Sequence, residues 1–230
     1  MPLRIPFTVS SHSPNPMNSA FFDVITDSKL AHDLRQIADD FQFLEFFDQY
    51  DTCCFTMSAM LVHILQEKGY VARVQGCYAE IRQNNGIFYI GYKGFVRDRQ
   101  REGHAVCIVN EKYLVDFGLG TLRKFYASDF SQALASEILN DEVMLASLPL
   151  ENGMRIDWRI DWISSVAEHR LQAQVPGIKQ AVADYDDFQK NRMSYLVKKL
   201  FVREHKPSQD EHASNTTLPL QTGRHYTIDI

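Results

Sequence analysis

The chain has 230 residues, 45% of them hydrophobic, and its 24 basic against 29 acidic side chains give a net charge of -5. That length buries a core of ordinary globular size, as one generous domain or one domain with an appendage. No lysine/arginine run is dense enough for a nucleic-acid footprint, no apolar run approaches a membrane span, and residues 1–7 lack a signal peptide's apolar centre. Nucleic acid and membrane are therefore not expected partners, and a cytoplasmic protein is expected.

Four cysteines, two of them adjacent, fit reduced thiols better than a disulfide framework. Cys53, Cys54, Cys77, Cys107 and the eight histidines show neither a C-x-x-C pair nor a metal-ligand spacing, so no metal site is expected.

Pro2, Pro6, Pro14 and Pro16 predict an extended arm over residues 1–18. From residue 19, Phe21, Phe22 and Ile25, then Leu30, Leu34, Ile37, Ala38, Phe41 and Leu44 recur at helical spacing on either side of Thr26-Asp27-Ser28, a natural cap. Two helices are expected there, with the aromatic-dense residues 41–47 as core contact. Next, Asp51 or Thr52 can cap a helix that runs to Lys68 and stops at Gly69. Cys54, Met57, Leu61, Ile64 and Leu65 fall on one stripe of it, so Cys54 should face the core. A thiol in that first turn lies in the positive field of the helix N-terminus, beside unpaired backbone N–H groups. Those features favour thiolate and supply donors for an oxyanion. The plainer alternative is packing, because free cysteine is among the most buried residue types.

After Gly69 the period becomes that of strands. Residues 70–81 alternate, and Asn84-Asn85-Gly86 signals a hairpin before residues 87–90. Residues 92–103, with Lys93, Arg97, Arg99 and Arg101 against Asp98 and Glu102, read as a solvated loop, or as a loop lying over a substrate cleft. A second hairpin follows, carrying His104 on one strand and Asp116 on the other. A three-residue turn, Asn110-Glu111-Lys112, pairs Val109 with Tyr113 and Val106 with Asp116, which puts His104 diagonal to Asp116 on one face. Val106, Ile108 and Leu114 share that face. A helix ending on it would aim Cys54 at the imidazole while the carboxylate fixes the ring's tautomer, the nucleophile–base–orienter logic of cysteine acyl transfer. Each residue has its bland reading: a satisfied core histidine, and a strand aspartate that bonds local amides.

The order Cys54, His104, Asp116, with Cys54 opening a helix that ends before Gly69-Tyr70-Val71-Ala72-Arg73, resembles the transglutaminase-like superfamily of papain-fold cysteine enzymes over about residues 45–120. Cys54-Phe55 and the run Tyr113 to Gly120 also resemble a sister group, the arylamine N-acetyltransferases. Where that group has Arg-Gly-Gly before its cysteine, this chain has Asp51-Thr52-Cys53. Both resemblances imply the same triad and select Cys54 over Cys53, which lies about 100° round the helix. They imply acyl transfer or amide hydrolysis through a thioester, with a peptide, an amide or a small acyl group as substrate and no cofactor. The alternative is acetyl-CoA use by an arylamine N-acetyltransferase-like enzyme. A non-catalytic binding module on the same fold is the reading from another class. The Cys54 amide is the first expected oxyanion donor, and Gln49 the candidate for the second.

Residues 128–148 read as a helix with Phe130, Leu134, Ile138 and Leu139 inward, stopped at Pro149. Arg155-Ile156-Asp157-Trp158 repeats at once as Arg159-Ile160-Asp161-Trp162, and both tryptophans read as packing or as a cleft wall. Helices are expected over 163–175 and 177–204, split at Pro176-Gly177. The expected organisation is an arm (1–18), a transglutaminase-like core (19–130), a helical C-terminal extension packed on it (131–205) and a polar, partly disordered tail (206–230). The fold class is α+β: N-terminal helices, the cysteine helix among them, on an antiparallel β-sheet, with further helices at the C-terminal end.

Overall fold

A computed structural model describes residues 22–50, 53–83, 86–92, 103–125, 130–150, 153–161, 178–195 and 197. The expected arm, the Asp51/Thr52 cap, the charged loop 93–102, Trp162, the helix over 163–175 and the tail lie outside them.

Helix α1 (Ser28–Phe43) starts where the cap predicts: Asp27 Oδ1 accepts the amides of Lys29 at 3.0 Å and Leu30 at 3.1 Å. Of the helix expected ahead of it, from residue 19, the described residues 22–24 form a turn, and residues 19–21 lie outside the described ones. Glu45, left-handed at φ 61°, turns the chain into the single-turn α2 (Phe46–Gln49). Helix α3 (Cys54–Glu67) buries Cys54, Met57, Leu61, Ile64 and Leu65, the predicted stripe. Its end is a Schellman cap: Gly69, at φ 87°, donates to Gln66 O at 2.9 Å and Tyr70 donates to Leu65 O at 3.0 Å.

Among the described residues seven strands follow: β1 (Ala72–Gln83), β2 (Gly86–Ile90), β3 (His104–Val109), β4 (Tyr113–Asp116), β5 (Leu134–Glu137), β6 (Met144–Pro149) and β7 (Arg155–Arg159). The sheet runs β5-β4-β3-β1-β7-β6 with every pairing antiparallel. β2 pairs with residues 79–83 of β1 and β3 with residues 72–77, so the two lie end to end along one edge. The outermost strands β5 and β6 bend together, joined by Leu139 N to Leu145 O at 2.7 Å and Ser136 Oγ to Ser147 O at 3.4 Å. The result is a near-barrel in which one face of every strand enters a single packed interior, Ile81, Phe88, Val106, Leu114, Leu134, Ala146 and Trp158 among its members. α1 and α3 pack outside it, against Cys107, Val109, Tyr113 and Val115.

Two expectations are corrected here. Residues 130–148 are not a helix: they contain β5 and β6, and 155–159 is β7, so among the described residues the stretch from 131 onward completes the sheet before a helix follows. The spacing of Leu134, Ile138 and Leu139 fits a helix, but Asp141 Oδ1 accepts the amides of Val143 (2.8 Å) and Met144 (2.9 Å), a side-chain turn that splits the run in two. Pairing along the edge of β4 then outweighs local preference. The C-terminal helix is α5 (Lys179–Lys190), following the short α4 (Gly120–Phe125). Asp40 holds α5 to α1: this buried carboxylate accepts from Tyr185 Oη, Gln189 Nε2 and Arg192 Nη2 at 3.2, 2.6 and 2.7 Å.

Candidate functional site

The β3–β4 turn has the three-residue length that strand parity requires, pairing Val109 with Tyr113, Ile108 with Leu114 and Cys107 with Val115. His104 and Asp116 therefore share the interior face with Val106, Ile108 and Leu114, while Cys107, Val109 and Val115 point outward under the helices. His104 Nε2 lies 2.7 Å from Asp116 Oδ2, with both side chains at 0% exposure.

Cys54 reaches this pair by a route different from the expected one. α3 packs on the opposite face, where Ser58 Oγ donates to Ala105 O at 2.8 Å and Cys54 sits with Val74 and Ala105. The thiol meets the imidazole round the start of β3, where strand and helix both begin. Gly118 is the seam. A Cβ added there would lie 2.5 Å from Cys54 Cβ and 3.1 Å from His104 Cε1, so only glycine lets the chain after β4 pass this close. Cys54 is 3% exposed, with Phe55 and Ile178, the residue preceding α5, packed in the same cluster.

Asp116 is fully engaged. Oδ1 accepts the Gly118 amide at 2.8 Å, and Oδ2 accepts both the His104 ring and the Trp158 indole, Nε1 at 2.8 Å. Burial opposes a charged imidazole at His104, but the Asp116 carboxylate and the Cys54 sulfur outweigh it, and the ring's pKa is pushed up to about 10. Among the described residues Nδ1 is buried without a hydrogen-bond partner of good geometry, yet the Cys54 sulfur lies close enough to raise the ring's proton affinity. Cys53 is the N-cap of α3 and its side chain makes no capping bond. The Cys54 amide, first in the helix, has no intrahelical acceptor and makes no backbone hydrogen bond among the described residues, which leaves it a candidate donor beside the sulfur. Gln49 is exposed, and its Nε2 donates to Tyr50 Oη at 3.2 Å.

Two residues here escaped the sequence reading. Trp158 was legible only as a wall or as packing, although the alternation of Arg155, Ile156, Asp157, Trp158 and Arg159 marks a strand whose Ile156 and Trp158 point inward. Gly118 follows Asp116 in Phe117-Gly118-Leu119-Gly120, where a glycine marks close backbone approach.

Among the described residues, His63, Glu67 and Asp186 bring three possible ligand atoms within 4.8 Å of one another. His63 and Glu67 are a half-exposed i,i+4 pair at 3.4 Å, ordinary for a helix surface. No described helix is long and apolar enough to cross a membrane. Comparison with protein-family models, curated proteins and solved structures finds no match to this chain.

Proposed function

We propose that the chain is a transglutaminase-like, papain-fold cysteine enzyme that transfers or hydrolyses an acyl group through a thioester on Cys54. One observation carries the reading: the His104–Asp116 bond of 2.7 Å, fully buried, on a ring whose other side packs with Cys54 about Gly118. A raised proton affinity at His104 supports an imidazolium beside the sulfur, which favours thiolate. The thiolate attacks the carbonyl carbon, and the developing oxyanion takes the Cys54 amide as donor. As the intermediate collapses, the carbon–leaving-group bond breaks and His104 gives its proton to the departing amine or alkoxide. The neutral ring then takes a proton from water or an acceptor amine as that nucleophile attacks the thioester, and returning the electron pair to sulfur regenerates the thiolate–imidazolium pair.

A peptide, an amide or a small acyl donor is the substrate class. Acetyl-CoA with an arylamine acceptor is the transferase variant, and burst acetylation of Cys54 by mass spectrometry would select it.

A binding module is favoured by a different observation, the 3% exposure of Cys54. Reactivity separates it from the enzyme. With iodoacetamide at pH 6 to 7, Cys54 should label faster than a free thiol of pKa about 8.5, and His104→Ala should remove that advantage. Superimposable pH profiles for the wild type and His104→Ala would mean that the ring does not tune the sulfur, and the binding module would replace the enzyme. Where labelling is fast, an unbiased screen of acyl donors identifies the substrate, with Cys54→Ala as the inactive control.

A further inference from the structure

The geometry points to Trp158 as a positioning residue for this site: its indole N–H holds Asp116 in the orientation from which Oδ2 accepts the hydrogen bond of His104 Nε2–H. The inference rests on reading Cys54, His104 and Asp116 as a catalytic set. It adds a fourth member, supplied by a strand 42 residues beyond Asp116.

β7 lies between β1 and β6, and the residues paired with Trp158 are Ala79 on one side and Ala146 on the other. Two alanines on the interior face leave room for an indole to lean across the barrel. The ring is fully buried and its only polar atom reaches Asp116 Oδ2 at 2.8 Å, the oxygen that lies 2.7 Å from His104 Nε2. A filler could be any large apolar ring. This one places a donor on the charged oxygen that holds His104, in a fully buried setting where such bonds are strong.

A carboxylate bonded only through Oδ1 to the Gly118 amide could turn about that contact and leave the imidazole. The second donor fixes its plane. Trp158 therefore acts on Cys54 through two intermediaries and touches no substrate.

The test replaces the donor while keeping the shape. Benzothienylalanine at position 158 swaps the indole N–H for sulfur, and Trp158→Phe is a second, coarser variant. Cys54 alkylation, read by tandem mass spectrometry so that Cys53 is counted apart, is followed from pH 5 to 10.5 in the wild type, both variants and His104→Ala. Loss of one hydrogen bond to a charged group is expected to slow Cys54 at neutral pH by about tenfold and to move the basic limb down by about one pH unit. A wild-type profile from folded benzothienylalanine protein would overturn the inference and leave Trp158 as packing. If His104→Ala itself matches the wild type, the catalytic reading fails first, on a comparison that does not involve Trp158.

Discussion

Asp116 shows how much a single carboxylate can be asked to hold. Oδ1 faces one N–H and Oδ2 faces two, from Gly118, His104 and Trp158, all inside the barrel. An asparagine fits neither way round. With its oxygen toward Trp158 and His104, its NH2 meets the Gly118 amide, donor against donor. With its oxygen toward Gly118, the NH2 meets the indole and forces the His104 proton onto Nδ1, the wrong tautomer for taking a thiol proton. Asp116→Asn is therefore expected to cost stability as well as reactivity: about 1–3 kcal/mol for a buried donor left unpaired, and a loss on the order of 10² to 10⁴ in turnover by analogy with serine triads. Chemical denaturation and Cys54 alkylation measure the two separately. A variant with lowered stability and the wild-type alkylation profile would show that Asp116 only satisfies neighbouring donors.

At the scale of elements, the sequence was readable where a local signal sets the structure. Asp27 starts α1, Gly69 ends α3, and the three-residue turn at 110–112 fixes which face carries His104 and Asp116. Legibility failed where the determinant lies far along the chain. Nothing near residue 134 announces that the open edge of β4 needs a partner, and the turn at Asp141 was submerged in a helix-like spacing of leucine and isoleucine. The side of the sheet on which α3 packs was misread for a related reason. Both faces of β3 are apolar, all of its residues being buried, so periodicity could not say which one the helix covers. The packing of α5 was likewise invisible, since it hangs on Asp40, a single acidic residue on the buried side of α1. Asp40→Ala is expected to destabilise the fold by about 2 kcal/mol, leaving Arg192 and Gln189 without their acceptor. Amide exchange should rise in α5 beyond the global change, while the strands keep their relative protection. Uniform acceleration across helix and sheet would mean that α5 and the barrel open as one unit.

At the scale of the whole molecule, the site also makes folding depend on pH. Burial alone would favour a neutral His104; Asp116 and the Cys54 sulfur reverse this, and the ring's pKa stands near 10 against 6.5 for a free imidazole. Between those values the folded chain keeps a proton that the unfolded chain has released, so its stability must fall as pH rises. The contribution is whole below about pH 6.5 and gone above about pH 10, with a slope of at most about 1.4 kcal/mol per pH unit between them. Burial also raises the Cys107 thiol and the Tyr78 and Tyr185 phenols, so the unfolded chain loses those protons first and stability falls further above about pH 9. These losses are common to any variant that leaves the three residues alone. His104→Gln removes the titration yet keeps an N–H for Asp116, and the difference between its urea-derived stability and that of the wild type isolates the ring. That difference should shrink steadily from pH 6.5 to 10, because wild-type folding must take up a proton that the unfolded imidazole has released, a cost the glutamine variant does not carry. A difference that stays constant across the window would mean that His104 is neutral when folded, and Cys54 would then have no cation beside it to hold a thiolate.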